Sequence, residues 1–484
     1  MCSINLASPN FAKLIHLDLK GAAPKLSYCE QLFPLFKLLG ATGLLIEYED
    51  MFPYDGQLKE ISQPECYSKL EIKTLQKLAE DNDLSIFPLV QTFGHLEFLL
   101  KHPKFFELRE INKYPNTLCP SHPRSLSVVF ELLNQVLELH PYVKWLHLGA
   151  DEVWHLGECE RCIKRMRENK WDRDALFLDY VRTLSQLIKQ KHPNLSLIIW
   201  DDMLRNFDVK VIKDSGIGEI VEPMIWHYLS PDEFRLKSPI WNKYNAIFPK
   251  IWIASAFKGA TEMTQLLTPP RYHLLNHKAW LEVLGNEAVN FQCVRGIALT
   301  GWQRFDHFTV LCELLPVGLP SLAVCLQMLI EGDFNEDAHQ KASRLLGFSD
   351  KIVLDVYPRP QPLPPVPSFP GSSIYINCLY LANLLTEYQM LTNHPSVKGA
   401  FSDYHVLQNR INPLHVDQFL PHAKALLLNL KNLNNQFVQA LSEIYYPGTV
   451  EEWLATNTLP YIEKLQKLVK EGEEQIAHHV KAIK

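Results

Sequence analysis

The sequence predicts an α/β chain: a (β/α)8 barrel of the TIM type followed by an all-helical C-terminal region. Three observations carry that expectation. Eight short apolar runs rich in β-formers recur through the first 300 or so residues, separated mostly by amphipathic stretches long enough for a helix. A proline-dense segment then ends the alternation. Beyond it, apolar residues fall at the three- and four-residue spacing of helices.

In chain order the strand runs are "LIHLDL" from Leu14, "GLLIEYE" from Gly43, "LSIFPLVQTFG" from Leu84 and "WLHLG" from Trp145. They continue with "LSLIIW" from Leu195, "EIVEPMIW" from Glu219, "IWIASAF" from Ile251 and "GIALTGW" from Gly296. "ALFLDYVRTLSQLIKQKH", Ala175 to His192, typifies the helical spacers, and the crossover from the fifth strand to the sixth is short. A doubly wound open sheet would normally place a glycine-rich fingerprint after its first strand. The segment there is "DLKGAAPK", which is not one. The barrel is assigned to residues 1–350, a linker to 351–371 and a helical region to 372–484. The linker holds seven prolines between Pro358 and Pro370, a density that continues neither helix nor central strand. In the helical region Thr449-Val-Glu-Glu452 reads as a capping box and Pro460 as a bend. Those helices offer packing rather than chemistry, and are candidates to pair two chains in a homodimer.

With 47% hydrophobic and 21% charged residues, the 484-residue chain can bury a large core. A net charge of −6 without a basic cluster argues against a nucleic-acid partner. No run approaches the ~18 apolar residues of a membrane span, and "MCSINLASPNFAKLI" lacks the pattern of a secretory signal. Ten scattered cysteines read as reduced thiols, hence an expected location in the cytoplasm or nucleus. Cys159-Glu-Arg-Cys162 is one C-x-x-C with no second pair, so no zinc or redox role is assigned and no metal is expected.

A barrel keeps its active site at the C-terminal ends of its strands. Those ends deliver Asp18; Glu47, Glu49 and Asp50; Gln91 and His95; Asp151 and Glu152; Trp200, Asp201 and Asp202; Trp226 and Tyr228; and Trp302, Arg304 and Asp306. Singly each has a bland reading: Trp200 as core, Asp202 as an N-cap, Asp151-Glu152 as a solvated loop. Together they put an acid or an aromatic on one rim from nearly every strand, which suits a pyranoside. Glycosidic cleavage needs a proton donor and a group that stabilises the cation developing at the anomeric carbon. Adjacent carboxylates are badly placed to flank the bond as acid and nucleophile. They make sense if the substrate supplies its own nucleophile, a 2-acetamido carbonyl, with one carboxylate protonating the leaving oxygen and the other orienting the acetamido N–H.

"HLGADE", His147 to Glu152, resembles the signature of family 20 glycoside hydrolases, His-x-Gly-x-Asp-Glu at the end of the fourth barrel strand. "WDDM" from Trp200, "IW" ending at Trp226 and "GW" ending at Trp302 fall where that family places its tryptophans. "FGH", Phe93 to His95, and "EYED", Glu47 to Asp50, are similar to its segments after strands three and two. The resemblance implies a retaining, exo-acting β-N-acetylhexosaminidase that needs no metal or organic cofactor, with a glycan substrate ending in β-linked N-acetylgalactosamine or N-acetylglucosamine. It implies that Glu152 is the general acid and base and that Asp151 holds the acetamido group. Trp200, Trp226 and Trp302 then wall the pocket, Tyr228 donates to the acetamido oxygen, and His95 pairs with Glu49 or Asp50 in support. Where the family usually carries Arg five residues before the Asp of the first strand, this chain has Lys13 before Asp18, and Lys lacks the bidentate fork. The family's Tyr-x-Asp after strand seven and Trp-x-Glu at strand eight are also missing, "SAFKGA" and Trp302-Gln303-Arg304 standing there. Recognition of hydroxyls 4 and 6 is then expected on Arg304, Asp306 or Asp202. A closer match of "VQTFGHLEF", "WDDML" and "LTGWQRFDH" to one branch of the family implies a leaning toward galactosamine substrates.

Two other classes stand against this reading. A catalytically silent sugar-binding protein would not require a proton donor, yet both Asp151 and Glu152 are kept. A metal-dependent barrel hydrolase would show His-x-His or His-Glu-x-x-His, and neither occurs.

Overall fold

The structure, a computed structural model, describes residues 11–236, 238–357 and 362–482. Eight parallel strands close in sequence order into one barrel: β1 Ala12–Asp18, β2 Gly43–Glu47, β3 Ser85–Leu89, β4 Trp145–His147, β5 Ser196–Trp200, β6 Val221–Trp226, β7 Lys250–Lys258 and β8 Cys293–Gly301. The expected eight-strand barrel is therefore the observed one. β7 and β8 run longer than expected, and their pairing shifts register twice, between Ile251 and Ile253 and between Ala256 and Lys258. The short crossover between β5 and β6 carries a seven-residue helix, Val209–Ser215.

The period of two along each strand sorts side chains between two cores. Leu14, Leu45, Leu89, Ile198, Met224, Ala254 and Ala298 fill the barrel interior. Ile15, Leu17, Leu44, Ile46, Ile199, Ile225, Ile253 and Leu299 face the surrounding helices. Aromatic rings plug the N-terminal end, where Trp145 and Trp252 meet edge to face at 5.1 Å and Phe87 lies 5.5 Å from Trp252. Towards the C-terminal ends the interior turns polar, with buried His16, Glu47 and His147. His16 Nε2 lies 3.0 Å from Glu47 Oε2, and Gln91 Nε2 donates to Glu47 Oε1 at 3.2 Å. Apolar below and hydrogen-bonded above, the barrel is a rigid floor for whatever sits on its rim.

After the barrel come helices Ser372–Thr392, Pro413–Ile444, Pro447–Asn457 and Leu459–Ala482. They lie against the barrel: Lys25 N donates to Ile444 O at 2.7 Å, Tyr28 Oη to Pro370 O at 3.0 Å and Tyr446 Oη to Glu71 at 3.1 Å. The expected capping box does not form. Its helix begins two residues earlier, at Pro447, whose missing N–H costs nothing in a first turn, and Thr449 is buried inside that turn. The bend comes at Thr458, just ahead of Pro460. Residues 362–369 of the expected linker carry neither helix nor strand, while 358–361 lie outside the described residues. Among the described residues no helix is long and apolar enough to cross a membrane, and the cysteines are free thiols.

Candidate active site

The C-terminal ends of the strands open on a pocket of ≈ 350 Å³. Its lining joins Lys20, Gln91, His95, Asp151, Glu152, Trp200, Trp226, Tyr228 and Trp302, with Thr261, Glu262, Met263, Arg304 and Phe305 among its other residues.

Two adjacent acids reach one pocket because the backbone after β4 winds left-handed. Gly149, Ala150 and Glu152 have φ of 62°, 67° and 45°. His95 on the loop after β3 has φ 49° and Glu49 on the loop after β2 has φ 47°. Non-glycine residues held there cost on the order of 1–3 kcal/mol each, and such strain gathers where side-chain aim matters. The loops after β3 and β4 touch backbone to backbone. A Cβ on Gly94 would stand 2.1 Å from Asp151 O, so only glycine fits between His95 and the paired acids.

His95 Nε2 lies 3.1 Å from Glu152 Oε2 and 3.6 Å from Asp151 Oδ2. Burial opposes its protonation, but the charge of Asp151 and the hydrogen bond with Glu152 outweigh that and lift it to about 10. Asp151 is pushed upward from the ordinary aspartate value by burial, with Asp202, Glu47 and Glu152 adding to the shift and the His95 charge working against it. Asp151 Oδ1 and Trp200 Nε1 are buried without a hydrogen-bond partner among the described residues.

Trp200 is fully buried and lies 6.1 Å from Trp302, while Trp226 and Tyr228 stack at 5.1 Å. Burial also drives the Tyr228 phenol upward, which keeps it a donor.

Several expected ligands sit elsewhere. Lys13 lies at the N-terminal end of β1, and five residues is an odd number of steps, so it shares the outward face of Ile15 and Leu17 rather than the inward face of Asp18. Asp18 accepts from Lys20 N, Lys20 Nζ and Gln303 N. Asp202 accepts from Glu152 N at 2.9 Å and Trp226 Nε1 at 3.1 Å, so it positions an acid and a wall. Asp306 accepts from Phe308 N inside its own turn. Arg304 reaches the pocket wall, but its guanidinium is clamped bidentately by Glu452 at 2.8 Å and 2.8 Å. The histidine paired with Glu49 and Asp50 is His307, not His95. The resemblance implied those acids for His95, which turns instead to the loop that follows β4.

Lys20 is the cation the sequence reading missed. It is buried, 3.2 Å from Asp18 and 3.7 Å from Glu49, with Nζ 5.6 Å from the Trp302 ring. Only its place two residues past a strand-end acid could have signalled it. Glu262, on the loop after β7, is a second omission, and nothing in the sequence sets it apart from other loop acids. A third lies outside the pocket: Glu110 and Cys119 fold against the Cys159–Cys162 pair.

Residues 45–237 match the catalytic domain of glycosyl hydrolase family 20. The chain belongs to that family and is a glycoside hydrolase. Among its relatives are proteins called hexosaminidase D. That of Homo sapiens is 42% identical over 475 residues, covering 97% of this chain and 96% of the relative. That of Bos taurus is 47% identical over 338 residues, covering 70% and 97%. The fold is shared with the chitobiase of Flavobacterium johnsoniae, at a TM-score of 0.51 and 13% identity over 96% of this chain and 72% of that one. It is shared also with the β-N-acetylhexosaminidase of Bacteroides fragilis NCTC 9343, at a TM-score of 0.50 and 16% identity over 69% and 70%.

Proposed function

We propose that this chain is an exo-acting, retaining β-N-acetylhexosaminidase that removes terminal β-linked N-acetylgalactosamine or N-acetylglucosamine, with the substrate's own acetamido group as nucleophile. The observation that carries this is the joint presence of Asp151 and Glu152 in one aromatic-walled pocket, with His95 between them. Residues 1–350 form the catalytic unit on this reading. The helical region from 372 packs against it and supplies Glu452 to the rim.

Glu152 donates its proton to the glycosidic oxygen as the C1–O bond breaks, and the acetamido oxygen closes on C1 to give an oxazolinium ion. Asp151 accepts the acetamido N–H and faces the new positive charge. Trp200, Trp226 and Trp302 enclose the acetamido methyl, and Tyr228 donates to the acetamido oxygen. Glu152, now a carboxylate, takes a proton from water as that water attacks C1, which restores the β configuration. Asp151 is costly to ionise in a buried pocket and is stabilised as the cation forms. Its charge therefore counts most in the transition state.

Chromogenic β-N-acetylgalactosaminide and β-N-acetylglucosaminide should both be cleaved without added metal, releasing the β-anomer first. A thiazoline mimic of the oxazolinium should inhibit. Equal turnover of a 2-amino glycoside lacking the acetyl group overturns the substrate-assisted route, and binding without turnover favours a silent sugar-binding protein.

A pH consequence follows from His95. Its charge pulls the Asp151 carboxyl down against burial, so His95→Gln should move the acid limb of kcat/KM to higher pH. A profile of unchanged shape and lower height would assign His95 a merely steric part.

A further inference from the structure

We propose that Cys119, Cys159, Cys162 and Glu110 form a structural zinc site, separate from the glycosidase pocket. The Cys119 sulfur lies 3.4 Å from that of Cys159 and 3.6 Å from that of Cys162, and Glu110 Oε2 lies 3.1 Å from the Cys162 sulfur. All four ligand atoms fall within 4.8 Å of one another. Thiolates about 2.3 Å from one tetrahedral zinc stand ~3.8 Å apart, so these spacings suit a shared ion. They are far from the ~2.0 Å of a disulfide, and a disulfide would use two sulfurs and strand the third beside a buried carboxylate.

The surroundings are those of a built site. Glu110, Cys119 and Cys162 are buried. The other oxygen of Glu110 is fixed by the backbone N–H groups of Glu158 at 2.7 Å and Cys159 at 2.9 Å, the outer hydrogen bonding that aims a metal-bound carboxylate. Cys159 caps the helix Glu160–Asn169 and its sulfur accepts from Cys162 N at 3.4 Å, which turns both sulfurs of the C-x-x-C the same way. Three soft thiolates with one carboxylate favour zinc among the common divalent ions. Four protein ligands leave no open position, so the ion holds structure and takes no part in the chemistry.

What it holds is the rim. Glu110 and Cys119 lie on the long connection after β3, and Cys159 and Cys162 follow the loop after β4. The run into Cys119 is bonded back to the segment around His95, Leu118 N to Phe93 O at 3.1 Å and Leu96 N to Asn116 O at 3.0 Å. The ion would thus tie the loop carrying His95 to the loop carrying Asp151 and Glu152.

The test is metal analysis of the full chain purified without chelators, which reads independently of any hydrolytic activity. One zinc per chain is expected in the wild type and in a Cys66→Ser control, with almost none in Cys119→Ser and Cys162→Ser. Cobalt loaded in place of zinc should give the intense absorption of tetrahedral thiolate coordination, and unfolding in the presence of a strong chelator should shift to lower temperature. The wild-type stoichiometry and cobalt spectrum decide the matter even if a cysteine variant does not fold. A metal-free wild type, a stoichiometric metal other than zinc, or a Cys119 disulfide in the unreduced protein overturns the proposal.

Discussion

Glu152→Gln should lower kcat/KM on a substrate with a poor leaving group by on the order of 10²–10⁴-fold, the usual worth of a positioned general acid. The amide matches the carboxyl in size, and Glu152 is partly open to the pocket, with its side chain 30% exposed, so the variant should fold, with only a modest loss of melting temperature from the charged partner that His95 gives up. What disappears is the proton. The loss should therefore depend on the aglycone, large for an alkyl glycoside and smaller for a dinitrophenyl glycoside whose oxygen leaves without protonation. Steady-state rates on the two substrates, with wild type and variant side by side, decide it. An equal loss on both would mean that Glu152 binds the sugar rather than delivering a proton.

The barrel was readable because its signals are local. Each strand is a short β-forming run, each helix an amphipathic stretch, and strand ends mark the rim whatever the loops do. Asp151, Glu152, Trp200, Trp226, Tyr228 and Trp302 were found that way and line one pocket. What could not be read depends on the conformation of loops and on contacts between distant segments. Lys20 enters through a turn after β1, and the pairing of His307 with Glu49 joins residues 258 positions apart. Arg304 looked free to grip a hydroxyl because Glu452, 148 residues later, folds back onto it. Cys119 carries no local signal because its partners lie 40 and 43 residues further on. Lys13 was misplaced for a simpler reason, a count of five residues where strand geometry requires an even one.

Asp151→Asn should lower kcat by on the order of 10²–10³-fold, the scale seen on removing one preorganised electrostatic group. The change is nearly isosteric, but an amide brings no charge to the oxazolinium. Its NH2, if turned toward the acetamido N–H, sets donor against donor. Stability should respond differently. The folded value of Asp151 is raised above that of an ordinary aspartate, so its contribution to stability falls as pH rises from the ordinary value through the raised one. At neutral pH the wild type therefore bears the burden of ionising a buried carboxyl, partly relieved by His95, and the asparagine does not. The melting temperature of the variant should hold or rise while turnover collapses. The same variant should also lose affinity for a thiazoline more than for the reaction's sugar product, because only the former resembles the charged ring. If affinity for both falls equally, Asp151 serves binding in the ground state, and the stabilisation of the transition state must come from the aromatic wall.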